Sequence, residues 1–215
     1  KFFKFFSSIF AMLSALPRSF YQRDTSIVAK ELLGKVLVRE LNGTILKGKI
    51  VETEAYFGPE DPASRAFGKC YENAGMAKQM FCEVGTAFVY MVHNNWLFNV
   101  VARSEKELVG AVLIRALEPI AGIEQMFKNR RLPDSKSGNV RELCSGPGKL
   151  TKALAIEKKH SGLDLTAGKE IWIESQDSEI GESEIAISHR IGVSKDLPTK
   201  LRFYIKQNLF VSKRR

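Results

Sequence analysis

The chain has 215 residues, 44% hydrophobic and 27% charged, a composition that fits one folded domain and excludes a disordered tail, a collagen or a disulfide scaffold. Lysine and arginine number 33 against 24 acidic residues, a formal charge of +9, which points to a polyanionic partner: nucleic acid or an anionic membrane surface. Cys70, Cys82 and Cys144 are widely spaced without a C-x-x-C, and His93, His160 and His189 lack metal-ligand spacing, so the expectation is buried or half-buried thiols, a reducing compartment and no metal.

Residues 1–16, KFFKFFSSIFAMLSAL, pair two lysines with an apolar stretch too short to span a membrane. A secretory cut after Ala15 would put Leu13 where a small residue is needed. The segment is therefore read as an amphipathic or poorly ordered leader, ahead of a single domain over 17–215.

A helix is predicted over 24–33, capped by Asp24 or Thr25 and ended by Gly34. Residues 35–41 alternate and are β-branched, Asn42-Gly43 is a hairpin turn, and a second strand runs over 44–56. Gly58-Pro59-Glu60-Asp61-Pro62 forces irregular backbone, and 63–80 reads as loop or at most short helix. Strands over 86–92 and 96–102 flank a tight turn at His93-Asn94-Asn95. A buried strand over 111–117 contains one charge, Arg115. A helix is expected from Pro119 to about Arg130, then an exposed basic loop over 128–136. Gly146-Pro147-Gly148 precedes a short helix over 149–156, and strands recur at 170–174 and 200–205. Hairpins outnumber βαβ units, so the fold class is α+β, a single mixed domain with a curved, largely antiparallel sheet and flanking helices.

Four stretches carry chemistry. Glu52, Glu54 and Tyr56 share one strand face, either as a solvated edge or as a general base beside an aromatic surface. Arg115, in an apolar strand, must find an anion, and the Glu52/Glu54 strand is the obvious source. The pair is either structural or a device that keeps a catalytic carboxylate ionised. The hairpin over 88–99 carries His93 and Trp96 at its tip; such a tip can wedge into a base stack, although pattern alone favours inward packing of the aromatics. Gly148-Lys149 fails as a phosphate loop, since Leu143 and Leu150 stand where Gly and Ser or Thr are required. Lys149 can still hold one backbone phosphate there.

Taken together, GKVLVREL, IVETEAYFGPEDPAS, GTAFVYMVH, AVLIRALEP, RELCSGPGKL and RIGV, collinear from about Leu16 to Ser212, resemble the alkyladenine (3-methyladenine) DNA glycosylase family. The resemblance implies a monofunctional DNA glycosylase of base excision repair, built as a mixed α/β domain with an antiparallel sheet and a protruding, DNA-inserting hairpin. It would flip alkylated or deaminated purines (3-methyladenine, 7-methylguanine, hypoxanthine, ethenoadenine) from duplex DNA and hydrolyse the N-glycosidic bond without a cofactor. By the same resemblance, Glu54 is the general base and Arg115 helps hold its water, with a further contact from the Ile191 carbonyl. Tyr56 and Tyr90 are the walls of the base pocket, Asn99 lies at its floor, and His93 fills the gap left by the flipped nucleotide. Lys128, Arg130, Arg131 and Lys149 are candidates for phosphate contacts. The partner is duplex DNA, the protein a monomer, and the location the cytoplasm at the nucleoid, or a nucleus.

Two features depart from the family pattern. Arg65 stands where many members have a histidine, and a permanent cation there opposes cationic bases unless Glu60 or Asp61 neutralises it. The segment over 70–81, with sequence CYENAGMAKQMF, is longer and less basic than expected. The rival from another class is a non-catalytic nucleic-acid-binding module, resembling the C-terminal domain of formyltransferases. It leaves Glu54, Arg115 and the two tyrosines without a joint role. A secreted or membrane-surface basic protein would rest on residues 1–16 alone.

Overall fold

The structure is a computed structural model that describes residues 15–133, 138–175 and 180–212. The expected leader lies outside the described residues except for its last two. Ala15 bridges to Glu174, and the Leu16 N–H donates to the Ile173 carbonyl at 2.8 Å. Leu16 is buried, so these two residues lie along the sheet edge.

A short turn of helix, α1 (Arg18–Tyr21), precedes α2 (Thr25–Glu31). The Asp24 carboxylate accepts from the N–H groups of Ser26 and Ile27, which satisfies two orphan donors at the start of α2. Strands β1 (Val36–Leu41) and β2 (Thr44–Tyr56) form the predicted hairpin, with Asn42 and Gly43 both at positive φ. Strands β3 (Ala87–Val92), β4 (Asn95–Val101), β5 (Ala111–Ala121), β6 (Ile171–Glu174), β7 (Ile185–Ser188) and β8 (Arg202–Ile205) complete an eight-stranded sheet in the order β3-β4-β5-β2-β1-β6, with β8 on β2 and β7 on β8. Among the described residues, every strand pairing is antiparallel.

The site depends on β2. One edge pairs with β5 along most of its length. The other pairs with β1 over 44–49 and then with β8 at Glu52–Glu54. The C-terminal half of β2 is therefore central and buried, and the polar-out alternation of an edge strand is lost there. Register shifts on either side of Glu52 mark a bulge that re-aims neighbouring side chains.

The β3–β4 hairpin turns at His93-Asn94, both left-handed (φ 45° and 57°), the two-residue turn that suits strand twist. Only Asn99–Val101 of β4 pair with β5, so the tip overhangs its neighbour. Helix α3 (Ile123–Arg130) and one-turn α4 (Arg141–Cys144) pack on α5 (Pro147–Ala153), which packs on β4. Thr151 donates to the Trp96 carbonyl at 2.8 Å, and a Cβ on Gly148 would lie 2.7 Å from Asn95, so a glycine lets α5 buttress the tip.

Several expectations change. Pro119 belongs to β5, not to a helix: it sits opposite Gly48 at a register shift, where a missing N–H is tolerated. The helix begins only after Gly122 (φ 71°), whose Cβ would fall 2.4 Å from Leu46. Lys128 and Arg130 are therefore helical instead of in a loop, and Arg131 ends the helix in a left-handed conformation. The 3-10 helix over 75–81 fits the expected loop or short helix, whereas β7 is a strand the pattern did not announce. Cys144 is buried and its thiol is pushed up to about 12 by burial, but Cys70 is exposed, against the expectation of covered thiols. Among the described residues, no helix is long and apolar enough to cross a membrane, and no group of His, Cys, Asp and Glu could hold a metal ion.

Candidate active site

Glu52 and Glu54 have no exposed surface, which removes the solvated-edge reading of this strand. Both reach Arg115 of β5: Nε is 2.9 Å from Glu52 Oε1, and Nη1 is 3.2 Å from Glu54 Oε2. Glu52 is held further by Arg202 Nε at 2.7 Å and by the N–H and hydroxyl of Ser212 at 2.7 and 2.9 Å. Burial works to raise its carboxyl, but Arg115, Arg202 and Ser212 outweigh that and hold it below the usual range.

Glu54 has the opposite balance. Burial raises its carboxyl, and Arg115, the Ile191 N–H and the Tyr56 hydroxyl do not cancel the effect. Glu54 Oε1 accepts from Ile191 N at 2.8 Å, and Oε2 accepts from Tyr56 at 2.7 Å and from Arg115. A carboxylate offers about four acceptor positions. The three described bonds leave one, on Oε1, without a described partner; Glu54 itself is fully buried and lies behind the cavity lining, not on it.

The partners of Glu54 form part of the wall of a cavity of about 670 Å³. Tyr56, Arg65, Tyr90, His93, Arg115, Lys149 and Ile191 all line it. Tyr56 and Tyr90 present aromatic side chains to the cavity, and burial raises both phenols, so they stay neutral. Phe88 stacks on Tyr90 at 4.8 Å, and the Arg65 guanidinium lies 5.1 Å from the same ring. Asp61 does not neutralise Arg65: it is buried against Arg190 at 2.6 Å.

The remaining candidates separate. His93 is exposed at the hairpin tip, whereas Trp96 packs against the core, so the two tip aromatics point to different fates. Asn99 is buried behind the hairpin, where its amide donates to the Phe88 carbonyl at 3.0 Å, and it is not on the cavity lining. Ile191 meets Glu54 through its N–H. Lys149 sits at the cavity wall and pairs with Glu142 at 2.6 Å. Arg130 donates to the Glu142 carbonyl, while Lys128 lines a separate depression with Thr44 and Ile123. Arg131 is exposed beyond α3. Sequence reasoning missed Arg190, Arg202 and Ser212. No alternation in Arg202-Phe203-Tyr204-Ile205 marks Arg202 as inward, and Arg202 and Phe203 are both buried on this strand.

A buried carboxylate of raised pKa beside an arginine-bound partner carboxylate, with aromatic walls in front, suits activation of water at a substrate held in the cavity. The sequence profile of the family described as Methylpurine-DNA glycosylase (MPG) matches residues 19–209. Relatives from Clostridium perfringens (42% identical over 205 residues, 93% of this chain and 99% of theirs) and Carboxydothermus hydrogenoformans (48% over 207 residues, 93% and 99%) carry the name "Putative 3-methyladenine DNA glycosylase". A relative from Francisella tularensis, 45% identical over 188 residues, covers 86% of this chain and 92% of its own and carries the same name. A non-catalytic binding module is thereby set aside: the chain belongs to the methylpurine-DNA glycosylase family.

Proposed function

We propose that this DNA N-glycosylase flips alkylated or deaminated purines from duplex DNA into the cavity and cleaves the N-glycosidic bond with water activated by Glu54. Substrates on this reading are 3-methyladenine, 7-methylguanine, hypoxanthine and ethenoadenine. Extrusion costs a few kcal/mol, and His93 at the overhanging tip offsets part of it by filling the vacated stack. Tyr56 and Tyr90 sandwich the base, and their π faces attract the delocalised positive charge of an alkylated purine.

Glu54 then removes a proton from water as the oxygen attacks C1′, and its charge stabilises the oxocarbenium-like sugar. Arg115 orients the carboxylate and favours its ionised form. The Ile191 carbonyl adds a contact to the same water, while its N–H anchors Glu54. The products are the free base and an abasic site, and the protein acts as a monomer with no cofactor. Lys149, at the cavity wall, is the phosphate-contact candidate best placed to meet the strand.

The observation that carries this reading is the acceptor position left on Glu54 Oε1, behind a wall made by its own partners. The test is an excision assay on duplexes carrying a single 7-methylguanine or hypoxanthine. Release of free base with formation of an abasic site is expected. No release from any of the four lesions would overturn the assignment.

A further inference from the structure

We propose that Arg190, gripped between Asp61 and Asp196, is a positioning residue that sets the Ile191 N–H on Glu54 and the Tyr56 ring at the cavity wall. The proposal rests on the reading of Glu54 as general base. Arg190 opens the connection from β7 to β8 and is buried. Its side chain is not on the cavity lining, so it acts through its neighbours.

All five N–H donors of the guanidinium are engaged. Nε donates to Asp196 Oδ1 at 2.9 Å. Nη1 donates to Asp61 Oδ2 at 2.6 Å and to the Ala55 carbonyl at 2.9 Å. Nη2 donates to Asp61 Oδ1 at 2.7 Å and to Asp196 Oδ1. Asp61 also accepts from the N–H groups of Phe57 and Ala63, and Asp196 from those of Arg190 and Leu197.

One planar cation thus ties three pieces of backbone. The first is the end of β2 at Ala55, between Glu54 and Tyr56. The second is the 57–63 loop, whose continuation carries Arg65. The third is the start of the 190–197 loop, whose next residue donates to Glu54. The guanidinium carbon also lies 4.6 Å from the centre of the Tyr56 ring, so it backs the aromatic wall as well. A buried ion network is weak evidence for net stability, since apolar packing does as well. What this one supplies is geometry at the site.

The groups facing Glu54 are Glu52 and Tyr56 on β2, Arg115 on β5 and Tyr90 on β3, with Arg202 opposite it on β8. His189 faces the clamp, with Nδ1 3.7 Å from Asp196. Of the contacts to Glu54, the clamp governs the Ile191 N–H, which pulls its carboxyl downward. Releasing that donor moves protonation of Glu54 to higher pH.

The experiment measures single-turnover excision of hypoxanthine against pH for wild type, Arg190→Lys and Asp196→Asn. Arg39→Gln serves as a control that breaks a different buried arginine pairing; Arg39, on β1, is buried, pairs with Glu170 and lies outside the cavity lining. Both clamp variants are expected to lose about tenfold in the plateau rate and to shift the acidic limb upward by about one pH unit. Duplex affinity should stay within about threefold, and Arg39→Gln should leave the limb in place. The proposal is overturned if Asp196→Asn, the milder change, and Arg190→Lys both leave the limb unmoved, or if Arg39→Gln moves it equally. A wild-type limb that persists in Glu54→Gln would overturn the general-base reading and this proposal together. Loss of activity in Glu54→Gln with an unmoved limb in the clamp variants would overturn the positioning role alone.

Discussion

Arg115 and Glu54 stand 3.2 Å apart, a looser pairing than the 2.9 Å between the same guanidinium and Glu52. The difference separates two carboxylates on one strand. Glu52 is saturated by two arginines and Ser212 and serves as a fixed counter-ion. Glu54 shares one arginine with it, keeps a free acceptor position and is the easier of the two to protonate. Environments that drive two carboxylates apart in this way assign them different roles.

Activity should therefore fail on the acid side before the fold does. The Glu54 carboxyl is raised, so the fraction of ionised base, and with it the excision rate, falls as pH drops through that raised value. Glu52 is lowered, so its contribution to stability is full above the unfolded carboxylate value of about 4.3 and is lost only as pH falls through its lower folded value. Glu54 has the reverse sign for stability: its contribution is full at low pH and lost as pH rises through its folded value. Parallel pH titrations of single-turnover rate and circular dichroism should place the loss of rate at higher pH than the loss of structure. Coincident transitions would contradict this assignment.

On the proposed function, Arg65 should set lesion preference. Its guanidinium lies over Tyr90, Phe88 covers the ring as well, and Asp61 is committed to Arg190, so the cation stands at the cavity wall without an ion pair among the described residues. A positively charged base next to it is disfavoured relative to a neutral one. Arg65→Gln should raise excision of 7-methylguanine relative to hypoxanthine by about tenfold, roughly 1.4 kcal/mol. An unchanged ratio in competition assays would remove Arg65 from specificity.

His93 is exposed at a two-residue turn, so replacing it should disturb DNA and not the fold. His93→Gly accepts the same left-handed backbone and should shift stability by less than about 1 kcal/mol. Excision from a fully paired duplex should fall about tenfold, and the loss should shrink when the lesion lies in a mismatch that is already partly unstacked. Equal losses on both substrates would assign His93 a role other than the wedge.

Local chemistry made much of this legible. Asn42-Gly43 announced the β1–β2 hairpin, and a lone arginine in Ala111–Leu117 demanded a buried anion that Glu52 and Glu54 supply. Where a decision depended on distant chain, the pattern fell short. Pro119 looks like a helix start until Gly48 of β2 pairs with it, and Ile185–Ser188 becomes a strand only because β8 lies beside it. Ser212 reaches Glu52 across 160 residues and the Ile191 N–H reaches Glu54 across 137, separations at which no spacing rule operates. Nothing local marks Arg190, because the aspartates that bury it lie on two different loops.

The central claim is that Glu54 does the chemistry while Glu52 supports the fold, and the most direct measurement compares Glu54→Gln with Glu52→Gln by single-turnover excision and thermal unfolding. The account predicts that Glu54→Gln loses at least about 100-fold in rate, binds lesion duplex within about threefold of wild type and keeps its stability. Glu52→Gln, which leaves Arg115 and Arg202 undercompensated in the interior, should lose about 3–5 kcal/mol of stability. Excision by Glu54→Gln at the wild-type rate would contradict the account.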